Sequence, residues 1–152
     1  DLGVYLGQLA PLAFRSQLIP SNRVLLKLSL GSVQVGMDQA ISAGLLVNEL
    51  ISNSLKHGFA QEQAGEVGVQ LQPVDPARIG PDALWRLCVS DTGVGLPADF
   101  ESRRKAALGL QLVSDLCRQV GGQLTLVSQP GVVTEFAVVF KALEPVALVM
   151  PA

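Results

Sequence analysis

Little in this chain invites a charged polymer, a membrane or a thiol-bound metal. Acids and bases nearly balance, 13 against 11, for a formal net charge of −2, and no basic stripe is present to neutralise a nucleic-acid backbone or an anionic lipid surface. No apolar run approaches the roughly 20 residues that a membrane-spanning helix requires, although hydrophobic residues make up 49% of the sequence. Cys88 and Cys117 each lack a second thiol nearby, which argues against a metal knuckle or redox pair and leaves two buried, reduced thiols as the expectation. There is no internal repeat and no low-complexity tract. A starting methionine and a signal-peptide pattern are both missing, so the chain reads as a piece of a longer protein; a cytoplasmic location is expected, with membrane attachment of the parent left open. With 152 residues and that hydrophobic fraction, a single domain over residues 1–152 with one core is expected.

What the chain does have is periodicity. Behind Asp1 as a cap, Leu2, Tyr5, Leu6, Leu9, Leu12 and Ala13 recur at the spacing of one helical stripe, an opening helix within residues 1–20. Residues 24–30 and 33–35 read as two strands around a Leu30-Gly31-Ser32 turn, and Asp38 as the N-cap of a long, mostly buried helix reaching about Gly58. Residues 66–74 and 84–90 alternate as strands, separated by a Pro/Gly-rich surface loop. From Asp91 to Arg104 there are glycines, a proline and charges without periodicity; Leu110, Val113, Leu116, Cys117 and Val120 then follow at helical spacing, so a mobile loop feeds a third helix. Gly121-Gly122 stops that helix, and two closing strands at 123–128 and 132–141 complete a mixed α+β sheet with its helices on one face. The apolar, prolyl tail over 142–152 either lies along the sheet or is a remnant, and the pattern does not choose.

Three groups of residues carry chemistry. At about 100° per residue, Glu49, Asn53 and Lys56 fall within about 60° of arc on the second helix. A polar row is ordinarily a solvated face, but on a helix with leucine, isoleucine and valine around most of its circumference it is expected to line a cleft. A carboxylate, an amide oxygen and an ammonium in that order suit a hard cation, a water or nucleophile, and a phosphate. Asp91, at the exit of an apolar strand, opens Asp91-Thr92-Gly93-Val94-Gly95, where the glycines permit close approach of a ligand. An ionised carboxylate only accepts hydrogen bonds, so it pairs with the exocyclic amine of adenine and repels the carbonyl that guanine presents there. Leu108-Gly109-Leu110-Gln111, just after Arg103-Arg104-Lys105, places free helix-terminal amides beside cations, an arrangement suited to polyphosphate.

In this order the three groups resemble the asparagine and glycine boxes of the ATPase superfamily that holds histidine kinases, gyrase, Hsp90-type chaperones and MutL. The sequence is most similar to sensor kinases with an Asn-Glu-Leu-x-x-Asn-x-x-Lys-His motif, here Asn48-Glu49-Leu50-Ile51-Ser52-Asn53-Ser54-Leu55-Lys56-His57, and the likeness continues through Gly109-Leu110-Gln111-Leu112-Val113 and Gln119-Val120-Gly121-Gly122. The resemblance implies a Bergerat-type, two-layer α/β sandwich with a mostly antiparallel sheet, about three helices and an ATP lid over 92–108. It implies ATP and Mg²⁺ as cofactors. Asn53 would ligate Mg²⁺, Lys56 would meet phosphate with His57 beside it, Asp91 would read adenine, Gly93, Gly95, Gly109 and Leu110 would shape the pocket, and Glu49 would orient or deprotonate the acceptor imidazole. Thr134 is similar to the threonine that supports the adenine-reading aspartate. The implied partners are an upstream phosphoacceptor helical hairpin of the same protein, a response regulator served through it, and a second copy of the parent in a homodimer. The chain departs from the family in having Val133-Thr134 for a common Gly-Thr, and Ala107-Leu108-Gly109 for a lid that often ends in Gly-x-Gly, which implies a stiffer lid and weaker nucleotide affinity.

Other readings compete. Gly93 to Ala98 fits a dinucleotide-binding glycine fingerprint with Asp115 about 20 residues on, but Pro97 does not open the required helix and Asp115 falls inside a helical pattern. No Gly-x-x-x-x-Gly-Lys-Ser/Thr is present, which excludes the ordinary P-loop. His57, the only histidine, suits packing or the helix dipole better than phosphoacceptance. Within the superfamily, an anti-sigma-factor serine kinase and a nucleotide-binding module without activity are the alternatives to a sensor kinase.

Overall fold

The computed structural model describes residues 1–16, 24–58, 64–80, 83–92, 108–129 and 133–143. In chain order these form α1 (Leu2–Ser16), β1 (Val24–Leu30), α2 (Met37–Asn53), a π-helical turn (Ser54–Gly58), β2 (Gly65–Pro73), β3 (Leu84–Asp91), α3 (Leu108–Val120), β4 (Leu124–Gln129) and β5 (Val133–Lys141). The strands make one sheet in the order β1-β2-β3-β5-β4. β1 and β2 run parallel, because α2 crosses between them, and every other pairing is antiparallel.

Strand alternation decides which side of the sheet is covered. Val67, Val69 and Leu71 of β2, Trp85, Leu87 and Val89 of β3, and Phe136, Val138 and Phe140 of β5 are buried together with Leu2 and Leu6 of α1, Leu46 and Val47 of α2, and Val113 and Leu116 of α3. On the other face Lys27 pairs with Glu66 at 2.8 Å, Arg86 pairs with Glu135, and Leu25 and Val127 are exposed. The result is the two-layer sandwich expected of the sequence, with three α-helices among the described residues.

Local signals account for most boundaries. Asp1 caps α1, its Oδ1 accepting from the Val4 amide at 3.0 Å. Gly121, at φ 107°, ends α3 in the left-handed region, where its amide and that of Gly122 both donate to Cys117 O. A side chain on Gly122 would meet the Val139 carbonyl oxygen at 2.2 Å, so the second glycine is required by the approach of β5. Cys88 and Cys117 are both buried and not joined in a disulfide.

Several expectations need correction. Residues 33–35 are not a strand: the Leu2 amide donates to Val33 O at 2.8 Å, so this stretch spends its bonding capacity tying down the start of α1. Asp38 is not the N-cap of α2; Gly36 holds that position, and Asp38 stands in the first turn, where a carboxylate favours the helix dipole. The stripe on α1 is shifted, with Leu12 66% exposed and Ala10 fully buried, because the small residue lets the helix approach its neighbours. Nor is α2 buried around most of its circumference, since Met37, Ile41 and Leu45 are exposed along the side turned away from the sheet. The expected lid lies outside the described residues from 93 to 107, as does the tail from 144.

Candidate functional site

One row across the sheet is polar where its neighbours are apolar. The register sets Val67 beside Asp91, Asp91 beside Thr134, and Thr134 beside Ser128, all on the helix-facing side. Asp91 is 4% and Thr134 3% exposed, and the Ser128 and Thr134 hydroxyls lie 3.4 Å apart. Thus Asp91 and Thr134, both singled out by sequence, are direct cross-strand neighbours. Ser128 was missed. Its alternation with Leu124 and Leu126 marks it as inward-facing, but only the β4–β5 register brings it to Thr134.

The helices are aligned to this row by a polar staple at the opposite end. Gln39, 3% exposed near the start of α2, donates through Nε2 to Val120 O at 2.7 Å and to Lys141 O at 2.9 Å, and its Oε1 accepts from the Leu143 amide at 2.8 Å. Ser42 Oγ adds a 3.1 Å bond to Gln119 Oε1. The start of α2, the end of α3 and the end of β5 are therefore joined at one place. From Gln39 to Asn53, α2 rises roughly 20 Å at about 1.5 Å per residue. From Lys141 back to Thr134, β5 covers roughly 23 Å at about 3.3 Å per residue. The last turn of α2, the Asp91–Thr134–Ser128 row and the first turn of α3 consequently share the other end of the sandwich, and the π-turn after Asn53 packs on β3.

The proposed site residues distribute as follows. Glu49 and Asn53 are half-buried, one turn apart at the end of α2. Lys56 is exposed, and it does not continue the row at the α-helical angle, because it lies in the wider π-turn. His57 belongs to the same turn, with its side chain outside the described residues. Gly109 and Leu110 lie in the first turn of α3, where the leading amides have no acceptor within the helix. Gly93 and Gly95 lie outside the described residues. Among the described residues no three His, Cys, Asp or Glu side chains gather to hold a metal. A buried carboxylate with one hydroxyl neighbour across the sheet, an amide-bearing helix end and a helix N-terminus can serve as one acceptor, one oxygen ligand and one anion-binding group, a set that suits a nucleotide with its cation.

Comparison with known proteins places the fold in a family. Residues 38–144 match the family described as histidine kinase-, DNA gyrase B-, and HSP90-like ATPase. Over 125 residues the chain is 26% identical to blue-light-activated histidine kinase 2 of Erythrobacter litoralis, covering 82% of this chain and 34% of that protein, so it spans about a third of its relative's length. A solved histidine kinase domain from the E. litoralis EL346 blue-light activated histidine kinase superposes with a TM-score of 0.77 at 25% identity, over 91% of this chain and 64% of that one. The ATP-binding domain of PrrB from Mycobacterium tuberculosis shares the fold, with a TM-score of 0.63 at 22% identity over 93% of this chain and 94% of that one. The matched residues make up more than half of the chain, and the chain belongs to the histidine kinase-, DNA gyrase B-, and HSP90-like ATPase family.

Proposed function

We propose that this chain is the ATP-binding catalytic domain of a sensor histidine kinase, presenting the γ-phosphoryl group of Mg-ATP to a histidine on a helical hairpin upstream in the same protein. The observation that carries the reading is the alignment of α2 and α3 by Gln39, which brings the ends bearing Asn53 and Gly109 to the same end of the sheet as the buried Asp91. Asp91 accepts from the exocyclic amine of adenine, with the Thr134 hydroxyl beside it on β5. The first-turn amides of α3 at Gly109 and Leu110 bind the phosphates, and Lys56, already in solvent, adds a positive charge. Gly93 and Gly95 leave room for the ligand against the backbone. The Asn53 amide oxygen would be the protein ligand to Mg²⁺ bound with the phosphates, and that ion would supply positive charge beside the transferring group. Glu49, one turn before Asn53, orients the incoming imidazole or takes its proton. From the acceptor histidine the phosphoryl group passes to a response regulator. A homodimeric parent and a cytoplasmic setting complete the reading, and among the described residues no helix is long and apolar enough to cross a membrane.

Calorimetric titration tests the metal role directly. ATP should bind this chain more tightly with Mg²⁺ than without it, and Asn53→Ala should abolish that difference while preserving the fold by circular dichroism. An undiminished Mg²⁺ dependence in the variant removes Asn53 from the site.

A further inference from the structure

The β2–β3 ladder ends in an unusual rung one residue beyond Asp91. In the register that pairs Val67 with Asp91, the next opposed residues are Glu66 and Thr92. The Thr92 amide donates to Glu66 O at 3.1 Å, which is half of an ordinary antiparallel rung. The other half is different: the Glu66 amide donates to the side-chain Oγ1 of Thr92 at 3.0 Å, in the place that a main-chain carbonyl takes in a regular ladder. The Thr92 carbonyl is thereby released from the pairing, and β3 stops at Asp91.

We propose that Thr92 is a positioning residue for the nucleotide site: its hydroxyl closes the sheet immediately after Asp91 and so fixes both the carboxylate and the point where the chain leaves β3. This rests on the reading of Asp91 as the adenine acceptor. A strand residue sends its amide and carbonyl to the same side, so a rung from Thr92 toward β2 turns the bonding groups of Asp91 toward Thr134 on β5. Asp91 is thus held from both neighbours, and Glu66 is itself anchored, opposite Leu25 in the parallel ladder and 2.8 Å from Lys27. The residue type matters for two reasons. A β-branched side chain is stiff about χ1, which keeps the oxygen aimed at the Glu66 amide, and a side-chain oxygen can accept there without prolonging the strand, which an apolar side chain cannot. Valine at this position leaves the Glu66 amide to take the main-chain carbonyl, which extends the ladder by one residue and redirects the backbone that follows Asp91.

The test is a set of titrations with Mg-ATP and Mg-GTP on the wild-type chain, Thr92→Ser, Thr92→Val, Thr92→Ala and Asp91→Asn, each with a thermal midpoint. Thr92→Ser should stay within about twofold of wild type, whereas Thr92→Val and Thr92→Ala should weaken ATP by about three- to tenfold, the scale of one net hydrogen bond, and lower the preference for ATP over GTP. A merely structural role lowers the midpoint without moving that preference. If Thr92→Val fails to fold, Thr92→Ala carries the same comparison. Wild-type affinity and preference in the valine and alanine variants overturn the proposal, as does a serine variant that loses as much as valine. Should Asp91→Asn leave ATP unaffected, the adenine reading fails and this proposal with it; an Asp91→Asn loss beside silent Thr92 variants ends this proposal alone.

Discussion

The two ends of the helix-facing layer solve opposite problems with similar chemistry. At the Gln39 end, a buried amide has both of its functions committed to main-chain partners, Val120 at the end of α3 and Lys141 and Leu143 at and just past the end of β5. At the Asp91 end, a buried carboxylate and the Thr134 hydroxyl occupy positions where the alternation of β3 and β5 elsewhere supplies valine, leucine or phenylalanine. Burying a polar group without compensation costs about 1–3 kcal/mol, so each end requires a reason. At the first the reason is internal, three segments joined through one side chain. At the second, the reading proposed above gives the carboxylate a ligand to recognise, and the family to which the chain belongs is one of ATPases.

The contrast breaks most visibly at Gln39. Gln39→Leu keeps the volume but strands two carbonyls and one amide, so it should cost on the order of 2–5 kcal/mol of stability by denaturant unfolding, with a thermal midpoint lower by roughly 5–15 °C. Residual nucleotide binding should weaken through misalignment of α2 with α3, without any change in the preference for adenine. A variant as stable as the wild type would mean that the staple is incidental. Asp91→Asn should do the reverse. The amide keeps the shape, so the midpoint should move less than in Gln39→Leu, and ATP affinity should fall by about 10- to 100-fold, the scale of a charge-assisted hydrogen bond. Equal affinity for ATP and GTP in the wild-type chain would count against the role of Asp91 before any variant is made.

How far the sequence disclosed this contrast differs between its ends. Asp91 was legible because a carboxylate and two glycines at the end of an apolar strand form a local pattern, and Thr134 because the family resemblance pointed to it. Glu49 and Asn53 were legible from helical phase, which fails at Lys56, where the π-turn changes the angle. Gln39 was invisible. A glutamine in the first turns of a helix is ordinarily solvated, and its burial follows from contacts with Val120 and Lys141, far away in sequence. The same holds for Ser128 and Thr92, whose roles depend on register. Residues 33–35 misled because three residues of strand-like pattern carry no information about whether a partner strand is available. Patterns of period two and three to four disclose elements; partners across the sheet are disclosed only by the fold.

The smallest effect, and the one that separates the two ends most finely, concerns the thiols. Cys117 lies in the last turn of α3, where its carbonyl receives the amides of Gly121 and Gly122, close to the staple, whereas Cys88 lies mid-strand on β3. Both are buried. Burial pushes the Cys88 thiol above its ordinary range, and the nearby Arg86 guanidinium only partly opposes this. An unfolded Cys88 therefore ionises at lower pH than the folded one, so its contribution to stability is complete below the ordinary thiol value and declines as pH rises through the raised one. Alkylation followed by mass spectrometry should find both thiols nearly unreactive at neutral pH, with Cys88 gaining reactivity only at higher pH than a free thiol. In Gln39→Leu, Cys117 should be labelled before Cys88, because the end of α3 loses its tie to α2 while the central strand keeps both neighbours. Simultaneous labelling of the two would show that the domain opens as one unit and that the staple holds no end in particular.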